Sequence, residues 1–106
     1  MKISLAQINP TVGDIKSNYR LIVKHAKIAQ DSNAEILITP ELSICGYPPE
    51  DLLLNKAFIE ECNNGLLKIA KKFPKLKIIV GHPRSDKGLL FNSASILYKG
   101  KIEKTY

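Results

Sequence analysis

A carboxylate, a thiol and a phenol fall within seven residues of one another: Glu41, Cys45 and Tyr47. Glu41 follows the apolar run Ile36-Leu-Ile-Thr and Pro40. A carboxylate at the end of such a run stands where α/β proteins often place chemistry, because the strand fixes the backbone and the loop shapes a pocket. Two readings are open. Facing a pocket, Glu41 is a general base whose pKa partial burial would raise. Facing its own loop, it is a carboxylate that accepts backbone hydrogen bonds. Cys45 is either a nucleophile, if a nearby cation or helix start lowers its pKa, or a small buried hydrophobe. Tyr47, held between Gly46 and Pro48, either lines the pocket with its hydroxyl or packs with its ring. His82 ends another apolar run and is expected near Glu41 in space, whereas His25 is expected on a helix surface. No second His or Cys stands at ligand spacing, so no metal site is expected. Neither a Gly-x-Gly-x-x-Gly run nor a P-loop is present to hold a nucleotide.

The elements that must position these groups read in order. Alternation over residues 2–8 predicts a strand, and Asn9-Pro10 and Gly13 punctuate it. Asp14 is an N-cap for a helix over 14–32, with Ile15, Tyr19, Ile22, Val23, Ala26 and Ala29 on one stripe and Asn33 as its stop. Residues 35–39 are almost wholly apolar, which fits a strand covered on both faces. Asp51 opens a second helix that Pro74 ends, with a kink or break at Asn63-Asn64-Gly65. Cys62 lies on its apolar side and is read as core. Residues 76–81 predict a third strand, 82–88 a loop and 89–98 a fourth strand. Lys99-Gly100 is a hairpin turn into a fifth strand over 101–106. The fold class is α/β with order β-α-β-α-β-β-β, one domain without an internal linker. A hairpin strand that stops without a closing helix reads as an interrupted domain.

The 106 residues are 44% hydrophobic and 25% charged, an ordinary globular balance. The net charge of +6 raises the question of nucleic acid. The lysines are scattered, and neither an arginine-rich run nor interleaved aromatics accompany them, so a solvated basic surface is expected. Cys45 and Cys62 make no disulfide framework. No run approaches the roughly 20 apolar residues of a membrane span, and the start is too short and polar for a signal peptide. A soluble cytoplasmic protein with neither a nucleic-acid nor a membrane partner is expected.

The segment Thr39-Pro-Glu-Leu-Ser-Ile-Cys-Gly-Tyr-Pro-Pro-Glu-Asp-Leu-Leu resembles the nitrilase, or carbon–nitrogen hydrolase, superfamily. Ile3–Asp14, with its Asn-Pro-x-Val-Gly-Asp turn, is similar to the family's opening strand. Val80-Gly-His-Pro and Leu90-Phe-Asn-Ser-Ala94 are similar to its third strand and hairpin entry. Gly46-Tyr-Pro-Pro-Glu-Asp-Leu52 resembles, more narrowly, the glutaminase domains of the glutamine-dependent NAD⁺ synthetase branch. The resemblance implies an α-β-β-α sandwich and a Glu-Lys-Cys triad. Glu41 falls on the triad glutamate, the general base. Tyr47 falls on a tyrosine near the active site and its ammonia exit. Tyr106 looks like the tyrosine of a Tyr-x-Lys-x-x-Leu-Pro segment, which puts the triad lysine two residues beyond it and leaves Lys104 too early. The nucleophilic cysteine lies further on, so Cys45 is a decoy. The resemblance therefore implies residues 1–106 of an incomplete hydrolase domain, with no second domain in this chain. It would carry no cofactor of its own and be inactive alone. Its parent would take glutamine as substrate, use ATP and Mg²⁺ in a synthetase domain and form a homo-oligomer. The rivals are a fragment of a stand-alone nitrilase-family amidase and a non-catalytic fragment that binds a partner.

Overall fold

A computed structural model describes residues 1–46 and 55–106. The elements follow the expected order: β1 (Ile3–Leu5), α1 (Ile15–Asp31), β2 (Ile36–Ile38), α2 (Lys56–Lys72), β3 (Lys77–Asp86), β4 (Leu89–Tyr98) and β5 (Lys101–Thr105). The strands form one sheet in the order β1-β2-β3-β4-β5. β1, β2 and β3 are parallel, and β4 and β5 continue antiparallel. The helices touch each other and the sheet, which places both on one face. This is one α layer on one β layer, half of an α-β-β-α sandwich.

Local chemistry sets the ends of α1. The Asp14 carboxylate accepts from the Ser17 amide at 3.1 Å and caps the first turn. At the other end Asn33 has φ +62°, its amide donates to Gln30 O at 3.0 Å, and Ala34 N donates to Ala29 O at 2.9 Å. That is a Schellman motif, and asparagine tolerates the left-handed position better than most residues. Ile15, Ile22, Ala26 and Ala29 bury one stripe as the spacing predicts. Leu37, Ile78, Val80 and Leu97 meet that stripe and the α2 side chains Cys62, Leu66 and Ile69 in a single core.

Several expectations are corrected. The first strand spans only Ile3–Leu5, since β2 offers three residues to pair with it. β2 is not covered on both faces: Leu37 is buried, while Ile36 and Ile38 are half-buried, because the helices cover one face. The helix that Pro74 ends, α2, is capped by Asn55, whose side chain accepts from Ala57 N and Phe58 N, while the expected opening residue Asp51 lies outside the described residues. α2 also runs unbroken through Asn63-Asn64-Gly65. Gly65 is there for packing: a Cβ would stand 3.3 Å from Ile44 Cδ1, so the bare backbone lets the helix press on the loop after β2. Finally, residues 82–86 are strand rather than loop. β3 extends to Asp86 and pairs with β4 through Asp86↔Leu89, around a turn at Lys87 and Gly88 with φ of +51° and +78°. Pro83 is tolerated because β2 pairs with β3 only as far as Ile79, so among the described strands β3 has a neighbour on one side there. The Lys99-Gly100 turn is as expected, with φ of +53° and +78°. His25 is half-buried rather than on the surface.

Among the described residues no helix is long and apolar enough to cross a membrane.

Candidate active site

Glu41 leaves the carboxyl end of β2 on the sheet face that the helices do not cover. It lines a cleft of about 300 Å³ with Thr39, Ile79, Gly81, Asn92 and Tyr106. The walls come from three strands. Gly81 is on β3, Asn92 on β4, and Tyr106 follows β5, where it exchanges backbone hydrogen bonds with Ala94. The expected burial of Glu41 is absent, since the residue is exposed. Its Oε1 accepts a hydrogen bond from Asn92 Nδ2. The carboxylate thus reaches across the sheet to a side chain 51 residues away.

The turn that carries Glu41 is held from below. Thr39 Oγ1 donates to Ile79 O at 3.0 Å, so the 2.8 Å bond to Ser43 must be donated by the serine hydroxyl. Leu42 has φ +50°, a left-handed conformation that costs a leucine about 1–2 kcal/mol. Its carbonyl receives Gly46 N at 2.8 Å and Cys45 N at 3.2 Å, and its side chain is buried. Ordinary residues keep such a φ where the surroundings enforce it, commonly beside reactive groups.

A second clamp comes from Asn18, a fully buried residue on the α1 stripe that sequence reasoning passed over. Its Oδ1 accepts from Thr11 N at 2.7 Å. Its Nδ2 donates to Thr11 O at 2.8 Å and to Ile44 O at 3.1 Å. One amide thereby ties the loop after β1 to the turn after Glu41. The signal was present in the sequence: a polar residue three after Ile15 and four before Ile22 must bury its amide and needs partners. Replacing Asn18 by alanine would strand the Thr11 and Ile44 groups. The expected cost is about 2–4 kcal/mol of stability, read from urea unfolding of wild type and variant; a loss under half a kilocalorie would show the clamp to be idle.

The remaining candidates fall elsewhere. Cys45 and Cys62 are free and fully buried. The Cys45 S–H donates to Gly46 O at 3.3 Å, and the thiol of Cys62 is pushed up by its contact with Cys45 and by burial. Neither points into the cleft of Glu41, so Cys45 is core. His82 does not join Glu41 either. Consecutive strand residues face opposite ways, and while Gly81 lines the Glu41 cleft, His82 faces α2 in a separate cleft with Ile59, Asn63 and Thr105. Burial holds its imidazole below the ordinary histidine range. Its Nδ1–H donates to Pro83 O at 3.1 Å. Nε2 then accepts from Ser95 Oγ at 2.7 Å, which in turn accepts from Thr105 Oγ1 at 2.6 Å. This chain of bonds staples β3, β4 and β5 behind the cleft. Tyr47, with Pro48 to Asp51, lies outside the described residues. Among the described residues no three His, Cys, Asp or Glu side chains gather as a metal site.

Comparison with known proteins gives concordant findings. The profile of the carbon-nitrogen hydrolase family matches residues 2–106. A glutamine-dependent NAD(+) synthetase from Synechocystis is 43% identical over 112 residues, covering 98% of this chain and 20% of that protein. The solved glutamine-dependent NAD+ synthetase of Acinetobacter baumannii superposes with a TM-score of 0.91 at 28% identity, over 98% of this chain and 20% of that one. An amidase from Nesterenkonia superposes with a TM-score of 0.87 over 100% of this chain and 41% of that one; at 24% identity it speaks for the fold alone. The chain spans about a fifth of the length of the curated relatives that it matches.

Proposed function

Because this chain belongs to the carbon-nitrogen hydrolase family, we propose that it is the base-bearing part of a glutamine-hydrolysing domain that feeds ammonia to an NAD⁺ synthetase. The choice of branch rests on one observation, the likeness to glutamine-dependent NAD⁺ synthetases along nearly the whole chain. Glu41 is the general base of a Glu-Lys-Cys triad whose lysine and cysteine lie outside residues 1–106. Its place at a strand end, in a cleft and free of any lysine partner among the described residues, supports that role.

In this reading the Glu41 carboxylate takes the proton of the nucleophilic thiol. The sulfur attacks the carboxamide carbon of glutamine and a C–S bond forms. Protonated Glu41 returns the proton to the amine, the C–N bond breaks and ammonia leaves. Glu41 next takes a proton from water as its oxygen attacks the thioester. The C–S bond breaks, glutamate departs and the thiol recovers its proton. The lysine stabilises the oxyanion of each addition. Tyr47 belongs to the substrate or ammonia path. ATP and Mg²⁺ serve the synthetase part, and no step above runs through them. The whole protein assembles as a homo-oligomer.

The test is ammonia release from glutamine. The full-length protein is expected to release ammonia and glutamate, and residues 1–106 alone to release neither. Ammonia from the 106-residue chain would overturn the division of the triad. Turnover of small aliphatic amides in preference to glutamine would favour a stand-alone amidase. A full-length protein inert to every amide would leave a non-catalytic, partner-binding role.

A further inference from the structure

Resting on the reading of Glu41 as general base, we infer that Asn92 is its positioning residue, holding one carboxylate oxygen so that the other exchanges protons. Asn92 Nδ2 donates to Glu41 Oε1. The bond fixes the carboxylate plane and leaves Oε2 for the thiol and then for water. The backbone of Asn92 is fixed by strand pairing. It lies in the middle of a hairpin whose register runs from Ile78↔Leu97 to Asp86↔Leu89, with Asn92 opposite Pro83. Gly81 and Ala94 beside it carry little or no side chain, so the wall around the carboxylate is low and an amide substrate can approach.

The residue type fits the task. A hydrogen bond to a carboxylate favours its charged form, and a full positive charge favours it much more. A lysine here would hold Glu41 ionised and blunt it as a base. An aspartate would compete for the same proton. A neutral amide orients the carboxylate at the least loss of basicity. Among the described residues the cleft holds one other titratable side chain, Tyr106, delivered by the segment after β5, and β3 contributes none. Lys104 of β5 stands over the Tyr106 ring, with Nζ 5.1 Å from its centroid. Asn92 is thus the group through which β4 acts on the base.

Three variants of the full-length protein test this, assayed for ammonia release from glutamine across pH. Asn92→Asp is nearly isosteric and sets a second carboxylate against Glu41. The acid limb of kcat/KM is expected to move up by about one pH unit or more, because two adjacent carboxylates resist joint ionisation. Asn92→Ala frees the Glu41 rotor. It is expected to lower kcat by about 10–100-fold, with KM within about threefold. In a Glu41→Gln background, Asn92→Ala is expected to cause no further loss, since both changes act through one carboxylate. If Glu41→Gln is inactive while both Asn92 variants keep wild-type kcat and an unmoved acid limb, the inference falls and the base assignment stands. Should Glu41→Gln keep wild-type activity, the base assignment itself falls, and Asn92 with it. If Asn92→Ala fails to fold, the acid limb of Asn92→Asp decides alone.

Discussion

Glu41→Gln in the full-length protein is expected to lower glutamine hydrolysis by about 10²–10⁴-fold, the usual contribution of a positioned general base. The substitution keeps the shape of the side chain. A glutamine oxygen can still accept from Asn92 Nδ2, so the turn over residues 41–45 and its bonds to β3 should survive. What disappears is an oxygen that can hold a proton. The loss should therefore fall on kcat, with KM little changed. The same variant separates the branches of the family. If hydrolysis only supplies ammonia to a synthetase, then NAD⁺ formation from added ammonium salt should be unaffected while formation from glutamine is lost. A variant that hydrolyses glutamine within tenfold of wild type would remove Glu41 from the mechanism.

The position of Glu41 was legible because it depends on local rules. An apolar run ended by proline has to be a strand end, and the residue after it has to leave the sheet. The helix stripes, the Asp14 cap and the Lys99-Gly100 turn were readable for the same reason. What escaped was set by contacts distant in sequence. Residues 82–86 carry His, Pro, Arg and Ser and read as a loop, yet β4 pairs with every one of them and holds them extended. Tertiary pairing overrides a weak local preference of that kind. His82 was expected beside Glu41, but strand alternation sends it to the helix face, where Ser95 receives it. Asn63-Asn64-Gly65 reads as a break, yet α2 continues because Leu66, Ile69 and Ala70 beyond it are buried in the core.

The partners of Glu41 follow the same division. Asn92 and Tyr106 stand 51 and 65 residues further along the chain, the first by its bond to Glu41 and the second by its place in the cleft. Each lies on a strand, or directly after one, whose own pattern was readable, but no spacing rule links them to residue 41. Only the sheet order brings them to one face. Asn18 differs, because its burial could be inferred from its helical position while its partners, Thr11 and Ile44, could not. A sequence therefore discloses which residues must be satisfied more readily than what satisfies them.

Gly81→Ala carries the second large effect. Gly81 lies in β3 directly under the Glu41 turn. A Cβ there would stand 2.5 Å from Leu42 N, 2.7 Å from Pro40 O and 2.9 Å from Glu41 Cα. All three are backbone atoms, so no side-chain rotation relieves the overlap. The strand cannot easily yield, being pinned by Val80↔Ser95 and His82↔Ser93 on β4. The turn must move instead, along with Ile44 N, which donates to Gly81 O at 3.4 Å. Overpacking of this kind costs about 1–3 kcal/mol, and a reacting group displaced by about 1 Å loses on the order of 10²-fold in rate. Gly81→Ala is therefore expected to fold with a lowered midpoint and to lose about 100-fold in kcat for glutamine. Gly88→Ala serves as the control. Its Cβ would meet nothing within 4 Å, and its φ of +78° confines the cost to local strain at the β3–β4 turn, so it should lose stability without a comparable loss of kcat. If the two glycine variants are equally destabilised and equally active, the close approach at Gly81 serves the fold alone. A selective loss of kcat at Gly81 would mean that the bare backbone of β3 sets the height at which the base is held.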